Sequence, residues 1–117
     1  MLDAKILKDE ICKILDQKKA FDIVSIDLTG KTIIADYFVI CSAQSTTQVK
    51  ALAGAIEETL SKEGIKGELI EPLRKEGLQE GKWSVIDYGA IIVHIFLDSI
   101  RNEFKLDELW ANKAIEK

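Results

Sequence analysis

Apolar residues recur along this 117-residue chain with two periods, and the switches between them mark out successive helices and strands. In "DAKILKDEICKILDQKK", residues 3–19, Ile6, Leu7, Ile11, Ile14 and Leu15 fall at helical spacing on one face. Asp3 is placed to cap that helix, and Lys18 and Lys19 suit the negative end of its dipole. "DIVSIDL", 22–28, alternates instead: Val24, Ile26 and Leu28 point one way, Ile23, Ser25 and Asp27 the other, as in a strand with one face more buried. "TGK" turns the chain, because Gly30 accepts a positive φ without strain. "ADYFVICS", 35–42, is apolar on both faces and predicts a strand inside the sheet, covered on both sides.

"STTQ", 45–48, has the form of a capping box, in which Ser45 accepts from the Gln48 N–H and the Gln48 side chain reaches back. Val49, Leu52, Ala53, Ile56 and Leu60 follow at helical spacing, and Gly64 is the expected stop. "GELIEPL", 67–73, predicts a short strand ended by Pro72 and therefore near a sheet edge. "RKEGLQEGK", 74–82, reads as an exposed loop. "KWSVIDYGAIIVHIF", 82–96, predicts two strands around a tight turn. Asp98 can cap a short helix over 99–103, and "LDELW" begins a last helical turn near residue 107. The order α-β-β-α-β-β-β-α predicts a single α/β layered domain over 1–117, with a mixed five-stranded sheet flanked by helices.

The hairpin holds the richest chemistry. With Tyr88-Gly89 as a two-residue turn, Asp87 would pair with Ala90 and Trp83 with His94. One face then carries Trp83, Val85, Asp87, Ala90, Ile92, His94 and Phe96; the other, with Ser84, Ile86, Ile91, Val93 and Ile95, is core. Two readings of the mixed face stand side by side. Trp83 and His94 form a cross-strand pair that supports the hairpin while Asp87 closes the turn; or Trp83 and Tyr88, rimmed by acids, form a protein-docking patch.

Composition narrows the chemistry. The chain has 47% hydrophobic and 31% charged residues and a net charge of −4, ordinary for a globular protein. No stretch of about 18 apolar residues is present, and charges enter the N-terminal pattern from Asp3, so neither a membrane span nor a secretory signal is expected; the expected compartment is the cytoplasm. Lysines and arginines are scattered, which speaks against a phosphate-backbone stripe, and the net acidity of the chain suits a basic protein partner better. Cys12, Cys41 and the single histidine cannot make a typical four-ligand zinc site, and both cysteines are expected as small core residues. No phosphate-cradling glycine motif and no nucleophile elbow is present, and no cofactor is expected. Asp27, Asp36 and Asp87 lie on or near strands, and a metal-dependent nucleotidyltransferase would need such carboxylates clustered at the substrate phosphates. The Gly-Ser and D-x-D of that chemistry are missing, which leaves a residual enzyme of this kind as the alternative reading.

Taken together, "ADYFVICSAQSTTQV", "EGLQEGKWSVIDYGAIIVHIF" and "LDELW" resemble the ribosomal silencing factor family, also called Iojap-like, over residues 2–111. The resemblance implies a nucleotidyltransferase-like fold without catalytic residues. It implies binding to the large ribosomal subunit at protein L-fourteen, a block to joining of the small subunit, repression of translation, and a possible homodimer when free. Matched position by position, Trp83, Asp87 and Tyr88 fall in the segment associated with partner contact, His94 and Phe96 in the following strand, and Tyr37 and Phe38 in the central one. The chain departs from the family pattern at Ala90, where an acid is common, and at Glu103, where Phe is usual; Glu76 and Glu80 are neighbours that could take over the role of the missing acid.

Overall fold

The computed structural model describes residues 3–77 and 80–104. Its chain order follows the expected one: α1 (Ala4–Gln17), β1 (Phe21–Asp27), β2 (Tyr37–Ala43), α2 (Thr46–Glu58), β3 (Arg74–Glu76), β4 (Trp83–Asp87), β5 (Ile91–Leu97) and α3 (Asp98–Phe104). These strands form one five-stranded sheet in the order β1-β2-β5-β4-β3. Within it β2 and β5 pair in parallel and the other neighbours are antiparallel, so the sheet is mixed. "LDELW" lies outside the described residues.

Each face of the sheet has its own core. Val39 and Cys41 of β2, Ile86 of β4, and Val93 and Ile95 of β5 are buried with Leu7, Ile11 and Leu15 of α1 and Leu52 and Ile56 of α2. On the opposite face, Ile26, Phe38, Ile40 and Phe96 are buried with Leu28 and Ala35 of the β1–β2 connection, and Ile100 of α3 packs against them. Arg101 ties α3 down: its Nη1 donates to the Asp22 carbonyl at 2.6 Å and to Ser42 Oγ at 2.9 Å. Asp22 itself has φ +50, where the register of β1 shifts against β2.

Helix α1 is capped as expected, with the Asp3 carboxylate accepting from the Lys5 N–H at 3.0 Å. At α2, Ser45 Oγ accepts from the Gln48 N–H at 3.1 Å. Gln48 reaches back one residue further than a capping box requires, accepting from the Gln44 N–H at 2.6 Å and donating to the Lys19 carbonyl at 3.2 Å. The helix runs on into a π-helical turn, Thr59–Glu63, and ends at Gly64 with φ +68, where a Cβ would run into the Glu68 carbonyl.

Two expectations need correction. Residues 67–73 make no strand beyond one isolated bridge, Ile65↔Glu68. The Ile70 N–H donates to the Leu60 carbonyl at 2.8 Å, so this segment spends its hydrogen bonds on the end of the helix rather than on a ladder. The edge strand is β3, one step later, inside the stretch that reads as a loop. The hairpin register also differs: Asp87 opposes Ile92, Val85 opposes His94 and Trp83 opposes Phe96. The Asp87 carboxylate accepts from the Gly89 N–H at 2.8 Å, and the Tyr88 N–H donates to the Ile91 carbonyl at 2.9 Å. That sets Gly89 (φ +86) and Ala90 in the turn in place of Tyr88-Gly89. The slip is two residues, one full strand period, so apart from Ala90 the composition of each face is unchanged.

Candidate docking face

The face turned away from α1 and α2 collects side chains from all five strands. Alternation along β4 and β5 puts Trp83, Val85, Asp87, Ile92, His94 and Phe96 there, and the pairing of Arg74 with Asp87 and of Glu76 with Val85 adds the edge strand. At one end is an aromatic cluster. Trp83 stacks on Phe96, its cross-strand partner, with ring centroids 4.9 Å apart and planes 22° apart. His94 sits diagonally, 4.9 Å from the Phe38 ring and 6.0 Å from the Trp83 ring.

Trp83 Nε1 donates to His94 Nδ1 at 3.2 Å. An acceptor Nδ1 places the imidazole proton on Nε2, which is buried and has no hydrogen-bond partner among the described residues. Burial pushes the His94 pKa down to about 4, so the ring is neutral at pH 7.

At the other end, Asp87 serves two structures at once. One carboxylate oxygen closes the hairpin turn on the Gly89 N–H; the other lies 3.4 Å from Arg74 Nη2. Arg74, Glu76, Val85, Asp87 and Ile92 line a shallow depression of about 80 Å³ with an aliphatic floor and a charged rim. Glu76 is exposed on β3, and Glu80 is exposed in the turn leading to β4, outside the depression.

The structure therefore brings Trp83, Asp87, His94 and Glu76 onto one face but separates them from the other two candidates. Tyr88 comes one residue after Asp87 and points to the opposite side, where it is buried against the helix-side core with its hydroxyl unpartnered among the described residues. Burial, with Glu57 and Glu71 nearby, pushes its phenol pKa well up. Tyr37 is half-buried on the helix side too, beneath Lys8 Nζ, 5.4 Å from the ring centre. Trp83 and Tyr88 therefore do not share a face; Trp83 shares one with Asp87 and Glu76. The residue missed by sequence reasoning is Arg74: a three-residue edge strand carries no periodic signal, so it passed for loop.

Asp27 is exposed and accepts the Thr29 N–H at 2.9 Å, which holds its carboxyl below the usual range. Among the described residues no group of three or more His, Cys, Asp or Glu could hold a metal ion, so Asp27, Asp36 and Asp87 do not converge. No described helix is long and apolar enough to cross a membrane.

The family model described as "Ribosomal silencing factor during starvation" matches residues 2–117. The chain belongs to this family. It is 35% identical to the ribosomal silencing factor of Bacillus subtilis, over 86% of this chain and 80% of that one. It is also 35% identical to the Haemophilus influenzae ribosomal silencing factor, over 90% and 98% of the two chains. A more distant relative, at 26% identity over 98% of this chain and 50% of the other, is a mouse protein named for mitochondrial assembly of the ribosomal large subunit. A crystal structure of a Bacillus halodurans protein superposes with a TM-score of 0.78 at 31% identity, covering 91% of this chain and 94% of the other. One from Chromobacterium violaceum gives 0.85 at 24% identity, covering 94% and 88%, a likeness of fold.

Proposed function

We propose that this protein docks on the large ribosomal subunit at protein L-fourteen and blocks joining of the small subunit, repressing translation in the cytoplasm. It acts by occupying space, without catalysis and without a cofactor. The observation that carries this reading is the mixed face built from Trp83, Asp87, Glu76 and the Val85–Ile92 floor: an aromatic anchor beside an acid-rimmed depression has the chemistry of a protein contact. Membership of the silencing factor family and the mouse relative named for the large subunit both support the choice of partner. His94 belongs to this site as the residue that orients Trp83. Tyr88 and Tyr37 serve it through the scaffold. The free protein pairs with itself only where no partner competes for the same face, which makes a homodimer a second state of the same surface.

The test is subunit joining in a sucrose gradient. Purified subunits mixed with excess protein should give a smaller joined peak, with the protein migrating in the large-subunit fraction. An unchanged joined peak with the protein at the top of the gradient would refute the proposal.

A further inference from the structure

The depression between β3, β4 and β5 already has a guanidinium on its rim, and we propose that in the docked state it takes a different one: an arginine side chain of the protein partner, which displaces Arg74 from Asp87. The ribosomal identity of that partner rests on the proposed function; the chemistry of the depression does not.

Three features of the site specify the ligand. Its floor is the half-buried pair Val85 and Ile92, an aliphatic surface suited to the methylene stem of a long side chain. Its wall is Asp87, whose Oδ1 is held by the Gly89 N–H so that Oδ2 faces the depression; the Asp87 side chain is only 17% exposed. Its rim carries a second carboxylate, Glu76, two residues along β3 from Arg74. Long, amphipathic and cationic is the side chain this arrangement fits, and two carboxylates would repel a phosphate.

Arg74 fills the place loosely. Its 3.4 Å approach to Asp87 is longer than a well-made charge-assisted hydrogen bond, and its side chain is 74% exposed. With the guanidinium in solvent and the contact this long, the pair is weak, so an incoming guanidinium with its stem on Val85 and Ile92 can replace it at little cost. Arg74 then acts as a built-in competitor that keeps Asp87 compensated until a partner arrives.

The first experiment titrates arginine amide into ¹⁵N-labelled wild type, Arg74→Ala and the double variant Arg74→Ala/Asp87→Asn, following backbone amide shifts. Asparagine can still accept the Gly89 N–H, so the turn is retained. Saturable shifts at Val85, Asp87 and Ile92 are expected at lower concentration in Arg74→Ala than in wild type, and no such shifts in the double variant. Equal shifts with lysine amide would overturn the choice of guanidinium; shifts that persist in the double variant would overturn the site. The second experiment measures binding to large ribosomal subunits of Bacillus subtilis. Arg74→Ala should bind about threefold tighter, and Asp87→Asn roughly tenfold weaker or more. Weaker binding by Arg74→Ala would make Arg74 itself a contact and overturn the displacement. If wild type does not bind the subunit at all, the ribosomal reading fails, and the titration alone decides the depression.

Discussion

His94 can accept the Trp83 N–H only while its Nδ1 is bare, and its burial among Phe38, Trp83 and Phe96 leaves a charged ring no water. The folded protein therefore resists a proton that the unfolded chain, with a histidine pKa near 6.5, accepts readily. Between pH 6.5 and about 4 the unfolded state binds more protons, so this contribution is complete above pH 6.5 and is lost as the pH falls towards 4. Its size is at most about 3 kcal/mol. Urea denaturation at pH 7.5 and 4.5 should show a larger loss for wild type than for His94→Gln. The same hydrogen bond complicates any truncation of Trp83. Trp83→Phe keeps a ring on Phe96 but strands Nδ1, costing about 1–2 kcal/mol; Trp83→Ala also removes the stack, for about 2–4 kcal/mol in all. Thermal melts should therefore rank wild type above Trp83→Phe above Trp83→Ala, and binding by the variants should be compared where all three are folded. Tyr88 offers the contrast. Its buried hydroxyl has no partner among the described residues, so Tyr88→Phe should change stability by no more than about 1 kcal/mol, in the stabilising direction, and leave subunit binding unchanged.

Among the elements, β3 is the least conspicuous and the most consequential for the site. It is three residues long, and it sends Arg74 and Glu76 to the proposed docking face while Lys75 turns back to bridge Glu57 of α2 at 2.8 Å. So short a strand depends on the residue at its C-terminal end. Gly77, with φ +80, lets the chain pass so close to β4 that a Cβ would collide with the Trp83 carbonyl. Gly77→Ala should cost more than about 1 kcal/mol and shift amide resonances along Arg74–Glu76 and at Trp83, because relief of the clash moves the edge strand away. The edge strand was not legible in the sequence, since three residues cannot display a period and its pairing is dictated by β4. The helices were legible, because their caps and apolar faces are local: Ser45 and Gln48, three apart, both cap α2.

The molecule taken entire carries a charge of −4, and its proposed docking face presents Asp87 and Glu76 to solvent or partner. Association with a basic partner should then be steered by charge. Raising the salt from about 50 to 500 mM should slow the association rate severalfold while changing dissociation less, measurable with immobilised subunits. An association rate indifferent to salt would remove the electrostatic part of the docking mechanism.

Features that depend on near neighbours were written in the chain itself: the order of elements, the helix caps, the alternation that divides the hairpin into two faces, and the motif spacing that marks the family. The turn was one residue out, because Asp87 could bond to either neighbouring arrangement and only the folded hairpin selects the Gly89 N–H. Apart from Ala90, the face of each residue survived that error, since strand periodicity is two and the slip was two. Which residues share a face was decided only by folding. Tyr88 is adjacent to Asp87 in the chain and across the sheet from it in space; Arg74 is 13 residues away and within 3.4 Å. Contacts between strands are set by how the sheet pairs, and that pairing is a property of the assembled core rather than of any one segment.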